Sequence, residues 1–133
     1  MTSLIEELKK EHKMMLDILS ELKTLGISSS TGHEKLLEVK NLLLAHITKE
    51  DEHYYPALRK AAETSKALKV MMDYFITDMK SVSEKAMHLF DKYSEGGDEA
   101  EFAGDFKLFC LMLKDRISAE EHTLFQKFDQ VNE

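Results

Sequence analysis

Residues 46–56 read HITKEDEHYYP, and this stretch decides both the fold and the candidate site of the chain. Residues three, four and seven apart share one face of a helix, so we expect His46, Glu50 and His53 to point the same way. The face continues upstream through Leu43 and other apolar residues, which predicts that it points into the core. Imidazole and carboxylate groups are costly to bury without partners. What supplies those partners is the functional question that this sequence raises.

The composition is that of one globular domain over residues 1–133. The chain has 133 residues, of which 43% are hydrophobic and 32% charged, a balance typical of folded soluble proteins. The net charge of -7 argues against nucleic acid or an anionic membrane as a partner, because both attract cationic surfaces. A protein partner is not readable from the sequence.

The sequence also predicts a cytoplasmic, bacterial protein. No apolar run reaches the length of a membrane helix, and the first residues lack the features of a signal peptide. Cys110 is the single cysteine, so no internal disulfide can form. We find no nucleophile motif, phosphate-binding loop or paired-cysteine motif, and the sequence therefore gives no indication of an enzyme.

Helical periodicity runs through the whole chain and predicts an all-α protein. Capping residues, glycines and apolar stripes place four amphipathic helices at about 3–25, 32–62, 64–93 and 98–130. Pro56 lies inside the second of them and predicts a kink or a break there. Short connections between long amphipathic helices favour an up-down-up-down antiparallel four-helix bundle.

Three further polar residues fall on the inward stripes of this bundle. His12 interrupts the stripe of the first helix, and Arg116 and Glu120 interrupt that of the fourth. A weak internal repeat, offset by 70 residues, aligns His46 with Arg116 and Glu50 with Glu120. Imidazole and carboxylate donors together suit iron, manganese or zinc. A bundle core that collects such groups is a common place for a metal site.

At this point the chain resembles the hemerythrin-like family, the HHE cation-binding domain. The resemblance rests on residues 11–12 (EH), on residues 46–56 and on residues 120–125 (EEHTLF), and it covers essentially the whole chain. It implies a four-helix bundle around a non-haem iron centre, which binds oxygen or another small diatomic ligand, senses redox state, or handles iron. The residues that match family ligand positions are His12, His46, Glu50 and Glu120.

Two departures from the family pattern leave three interpretations open. Arg116 stands where the family has a histidine, and the inward positions of the third helix carry no histidine. The centre can hold one metal ion with Arg116 beside it. It can instead hold no metal, with the Arg116 guanidinium neutralising the carboxylates in an interaction or regulatory module. A two-iron centre is the third interpretation, and the altered ligand set argues against it.

Two other histidines are weaker ligand candidates. His53 follows His46 by two turns, and His88 lies further along the third helix than the family pattern places its histidine. The expected cofactor is non-haem iron, mononuclear or dinuclear, or none if Arg116 has replaced the metal. The expected partners are a metal ion and a small diatomic ligand.

Overall fold

The computed structural model describes the backbone of residues 3–131 and the side chains of residues 4–128. This part of the chain is helical throughout, apart from short connections. The helices are α1 Ser3–Leu25, α2 Ser30–Lys49, α3 Tyr55–Ala62, α4 Lys66–Lys92, α5 Glu99–Ala119 and α6 Phe125–Val131. Two π-helical turns, Glu50–Tyr54 and Glu120–Leu124, join α2 to α3 and α5 to α6.

Because the π turns do not interrupt the backbone, residues 30–62 and 99–131 are each one continuous bundle helix. With α1 and α4 they make four bundle helices, which confirms the predicted all-α four-helix bundle. The helix starts follow from local capping. Ser65 accepts a hydrogen bond from the Leu68 amide at 3.2 Å, and Asp98 accepts one from the Glu101 amide at 2.8 Å. Both contacts satisfy amides that a helix leaves unpaired.

The second bundle helix begins slightly earlier than the sequence predicts. Ser29 caps it by accepting a hydrogen bond from the Gly32 amide at 3.0 Å, so helix α2 starts at Ser30 rather than near residue 32. The turn before it is made by Gly26, whose φ of 68° lies in the left-handed region that glycine adopts without steric cost.

The π turns lie 70 residues apart and correspond to the internal repeat of the sequence. In each turn an amide bonds to a carbonyl five residues earlier, from Tyr55 to Glu50 and from Phe125 to Glu120. The wider turn adds one residue and rotates the helix beyond it. Pro56 follows the first turn, so the predicted kink or break is a π turn within an unbroken helix. Gln126 holds the equivalent position in the fourth bundle helix, so proline is not required.

The core consists of two apolar clusters with a polar layer between them. One cluster surrounds Met15, Leu43 and Phe109. The other surrounds Tyr54 and Phe125. The layer between them holds the buried polar residues, each 5% exposed or less: His12, His46, Glu50, Arg116 and Glu120. No helix in residues 3–131 combines the length and the apolar character that crossing a membrane demands.

Candidate metal centre

Three bundle helices bring the buried polar residues to one level. His12 comes from α1, His46 from the end of α2, and Arg116 from α5. Glu50 and Glu120 are each the first residue of a π turn. The α-helical spacing of four residues places His46 beside Glu50 and Arg116 beside Glu120. The two halves of the repeat therefore face each other across the bundle.

The ring nitrogens of the two histidines meet at the centre of this layer. His12 Nε2 lies 3.1 Å from His46 Nε2 and 3.3 Å from Glu120 Oε1. His46 Nε2 lies 3.5 Å from Glu50 Oε1. A cavity of about 10 Å³, lined in part by these four residues, lies beside them. A space of this order holds one water-sized particle.

Each histidine is oriented by a carboxylate on its outer side. His12 Nδ1 donates to Glu121 Oε2 at 2.6 Å, and His46 Nδ1 donates to Glu11 Oε1 at 2.8 Å. An ionised carboxylate only accepts hydrogen bonds, so the hydrogen lies on Nδ1 in both rings. Lys49 holds the other oxygen of Glu11. The arrangement turns both Nε2 atoms inward, as the outer partners of metal-binding histidines do.

Arg116 closes the side of the layer that faces α4. Its Nη1 donates to Asp78 Oδ2 at 3.0 Å, and its Nη2 donates to Glu120 Oε2 at 3.5 Å. The guanidinium carbon lies 4.5 Å from the centre of the Phe75 ring, in a cation–π contact. Helix α4 therefore supports the arginine with Asp78 and Phe75. Among the side chains described over residues 4–128, α4 contributes only Met79 to the lining of the cavity.

Opposing charges shift the pKa values of the buried groups in different directions. Burial and the negative charge of Glu120 raise the pKa of Glu50 well above its usual range. Burial also acts to raise the pKa of Glu120, but the hydrogen bond from His12 and the charge of Arg116 hold it below its usual value. The same pair of carboxylates is therefore split, with the pKa of Glu50 raised and that of Glu120 lowered.

The two histidines also differ. Burial is the largest single effect on His12 and acts to lower its pKa, but the hydrogen bonds and negative charges of Glu120 and Glu121 together raise the pKa above its usual value. Burial and the neighbouring charge of His12 lower the pKa of His46. A proton at His12 and a metal cation at the same Nε2 atom are therefore alternatives, because each neutralises Glu120.

His12, His46 and Glu120 could hold a metal ion between them. One ligand atom each from His12, His46 and Glu120 lie within 4.8 Å of one another. Bonds of about 2.1 Å to a tetrahedral or octahedral ion set neighbouring donors about 3.0–3.4 Å apart. The distances of 3.1 Å and 3.3 Å from His12 Nε2 fall in this range, and the 3.5 Å between His46 and Glu50 is close to it.

The two weaker candidates lie outside this centre. The side chain of His53 is 64% exposed, because the π turn directs Tyr54 and Tyr55 into the core instead. The prediction that His53 shares the inward face of His46 and Glu50 is therefore wrong. His88 is also exposed on α4, beside Leu89 and Lys92 in a surface groove, where it cannot reach the centre.

Sequence reasoning did not assign roles to three carboxylates that contact the centre. Glu11 and Glu121 bind the histidines, and Asp78 binds Arg116. Glu11 precedes His12, and Glu121 follows Glu120. An acidic residue next to a buried ligand candidate therefore indicates a possible hydrogen-bond partner for a histidine. Its side chain points to one side of the buried face and can contact the adjacent bundle helix. Nothing in the sequence distinguishes Asp78 from a solvated aspartate.

Comparison with known proteins identifies the family. A scan against protein-family models matches residues 3–128 to the hemerythrin HHE cation binding domain. A search of curated proteins finds no match, and neither does a search of solved structures. The family match extends over nearly the whole chain and agrees with the helical fold and with the inward His and Glu residues. The chain belongs to the hemerythrin HHE cation binding domain family.

Proposed function

We propose that this cation-binding module holds one transition-metal ion through His12, His46, Glu50 and Glu120. The observation that carries the proposal is the contact between two Nε2 atoms at 3.1 Å, with both Nδ1 atoms hydrogen-bonded to outer carboxylates. Two imidazole lone pairs repel each other at that distance unless a proton or a metal cation lies between them. We favour a metal cation over a proton because the site offers two histidines and two carboxylates as ligands. Glu11 and Glu121 also orient the histidine rings, as the outer partners of metal-binding histidines do.

Iron is the metal that we propose, and sensing or storage is the role. Nitrogen and oxygen donors in this ratio suit iron as well as manganese and zinc, and membership of the family favours iron. Iron held by these residues would supply a one-electron redox couple and affinity for a small diatomic ligand. The protein side chains orient the two rings, exclude bulk water and hold the charge of the carboxylates.

A single ion is favoured over two because Arg116 already supplies a fixed positive charge. Its guanidinium contacts Glu120 and Asp78, and an arginine stays protonated and cannot ligate a cation. A second ion beside it meets electrostatic repulsion and finds no histidine on the described part of α4 at that level. This supports a mononuclear centre in which the arginine replaces a second metal.

The competing function is a metal-free interaction module. The observation that favours it is the same guanidinium, together with the raised pKa of His12, because Arg116 and one proton can neutralise Glu120 without any metal. The two functions differ in their response to chelation. A structural metal stabilises the fold by an amount that grows with the logarithm of the free metal concentration above its dissociation constant, whereas the stability of a proton network does not depend on metal.

Removing the metal is expected to lower the melting temperature. The experiment compares protein loaded anaerobically with ferrous iron and protein stripped by a strong chelator, followed by circular dichroism. Free iron at 100 times its dissociation constant adds about 2.7 kcal/mol to the free energy of unfolding, which shifts the melting temperature by several degrees. Reloading the stripped protein with iron restores the higher value. Identical melting curves for stripped and loaded protein would overturn the proposal and favour the metal-free module.

A further inference from the structure

Helix α5 carries two large apolar side chains on a face that no helix described over residues 3–131 covers. Leu108 is 69% exposed and Leu111 is 52% exposed, while the opposite side of α5 packs into the core through Phe102, Phe106 and Phe109. A helix with apolar residues on all sides is usually buried on all sides. The two leucines form a ridge, and a groove runs along each side of it. We call the ridge and its two grooves the α5 surface.

The first groove lies between α1 and α5 and has a volume of about 500 Å³. Its apolar lining includes Leu16, Leu19 and Phe106, and its lysines are Lys23, Lys107 and Lys114. The one carboxylate in the lining, Glu99, accepts hydrogen bonds from the backbone amides of Ile27 and Ser28. This groove therefore presents apolar atoms and ammonium groups to a ligand.

The second groove lies between α4 and α5 and has a volume of about 390 Å³. Leu89, Phe109 and Met112 supply its apolar lining, and Lys85, His88 and Lys92 lie along it. Its carboxylate, Asp105, is bound by Lys92 at 2.8 Å and by the Tyr93 hydroxyl at 2.6 Å. Lys92 also pairs with Glu101 at 2.6 Å, so Lys85 is the lysine of this groove that is left to meet a negatively charged ligand.

The lysines of the α5 surface are mostly free of ion pairs. Among the side chains described over residues 4–128, no carboxylate pairs with Lys23, Lys85, Lys107 or Lys114. Lys23 of α1 and Lys114 of α5 both line the first groove. They therefore converge from two helices on one place. The positive charge of this surface contrasts with the net charge of the whole chain, which is -7.

We propose that the α5 surface docks an acidic amphipathic helix of a partner protein. The leucine ridge and its two flanking grooves match the way in which helices pack, with ridges entering grooves. The lysines on both sides supply complementary charge to Glu and Asp side chains that flank an apolar stripe. A second copy of this chain fits less well, because a symmetric contact would bring the same cationic surfaces together.

A pair of synthetic helical peptides tests this proposal. The acidic peptide has leucines at positions i, i+3, i+4 and i+7 and glutamates elsewhere, and its twin has lysine in place of every glutamate. Fluorescence anisotropy of labelled peptide, titrated with the full chain at low salt, is expected to give saturable binding of the acidic peptide alone. The double variant Lys107→Glu/Lys114→Glu is expected to lose at least about tenfold in affinity for it and to gain affinity for the lysine peptide.

Matched controls separate the α5 surface from general charge effects. The double variant Lys9→Glu/Lys10→Glu makes the same charge change at exposed residues of α1 outside both grooves and is expected to bind the acidic peptide as the parent chain does. Leu111→Glu is expected to abolish binding while the circular dichroism spectrum is unchanged. Stripping metal from the protein is expected to leave its affinity for the acidic peptide unaltered. Peptide binding at the α5 surface can therefore be tested independently of metal binding at the cation centre.

Three results would overturn the proposal. Equal binding of the acidic and lysine peptides would mean that the surface has no charge preference. A dimer in analytical ultracentrifugation that Leu111→Glu dissociates would assign the surface to a second copy of this chain. Binding to phosphatidylcholine vesicles containing phosphatidylglycerol that is tighter than binding to the acidic peptide would assign it to an anionic membrane.

Discussion

Replacing His46 by alanine is expected to lower the affinity for ferrous iron by at least about 100-fold, since loss of an outer partner alone costs 10–100-fold. The substitution removes one nitrogen ligand and also leaves Glu11 without the ring that it orients. Anaerobic titration against a chromogenic iron chelator measures the affinity. His46→Gln retains much of the side-chain volume and is expected to show a similar loss, which separates ligation from packing.

The matched control for this variant is His53→Ala. His53 lies in the stretch that carries His46, but its side chain is exposed and has no contact with the centre. Its loss is expected to leave iron affinity within twofold of the parent chain. Full affinity in His46→Ala, or loss of affinity in His53→Ala, would contradict the placement of the centre. Circular dichroism establishes that each variant is folded before its affinity is compared.

Replacing Arg116 by leucine is expected to lower the free energy of unfolding of the metal-free protein by about 3–5 kcal/mol. The variant leaves the buried carboxylate of Glu120 without its guanidinium partner and leaves Asp78 unpaired. It also removes the contact with the Phe75 ring. Urea denaturation followed by circular dichroism measures the loss. Iron is expected to restore part of the stability, because a bound cation also neutralises Glu120.

Arg59→Leu is the control for this variant, because Arg59 is an exposed arginine of α3. Its substitution is expected to change stability by less than about 0.5 kcal/mol. A loss of stability in Arg116→Leu no greater than in Arg59→Leu would show that the guanidinium does not neutralise the buried carboxylates. Arg116 would then not exclude a second ion from the centre.

The bundle was predictable because its signals are local. Ser65 and Asp98 start helices where a serine or an aspartate can accept a hydrogen bond from the first turn. Gly26 provides the positive φ that ends a helix. Apolar residues recur at helical spacing along each stripe, as Phe102, Phe106 and Phe109 do in the fourth bundle helix. Each of these features depends only on residues close in sequence, which periodicity detects well.

The π turns were not predictable because one extra residue in a helix leaves no distinct pattern. Pro56 predicts a kink or break in the second bundle helix, yet the fourth bundle helix makes the same turn with Gln126 at the equivalent position. The unpredicted turn also explains the error at His53. A regular helix places His53 close to the face of Glu50, whereas the added residue brings Tyr54 and Tyr55 inward.

The inner residues of the candidate site were easier to find than its outer shell. His12 and Glu120 are polar interruptions of apolar stripes, which sequence alone reveals. Glu121 looks like an ordinary solvated charge, and its side chain is 26% exposed. Its bond to His12 joins residues separated by 109 positions. Such a contact depends on the register between two bundle helices, and periodicity within each helix does not specify that register.

One metal ion between His12 and His46 is the central feature that we propose for this protein. Elemental analysis tests it most directly, on protein loaded anaerobically with ferrous iron and freed of excess metal by gel filtration, with His46→Ala treated in parallel. We predict one iron ion per parent chain and none in the variant. Two ions per chain would contradict the role assigned to Arg116, and no retained ion in the parent chain would contradict the metal centre itself.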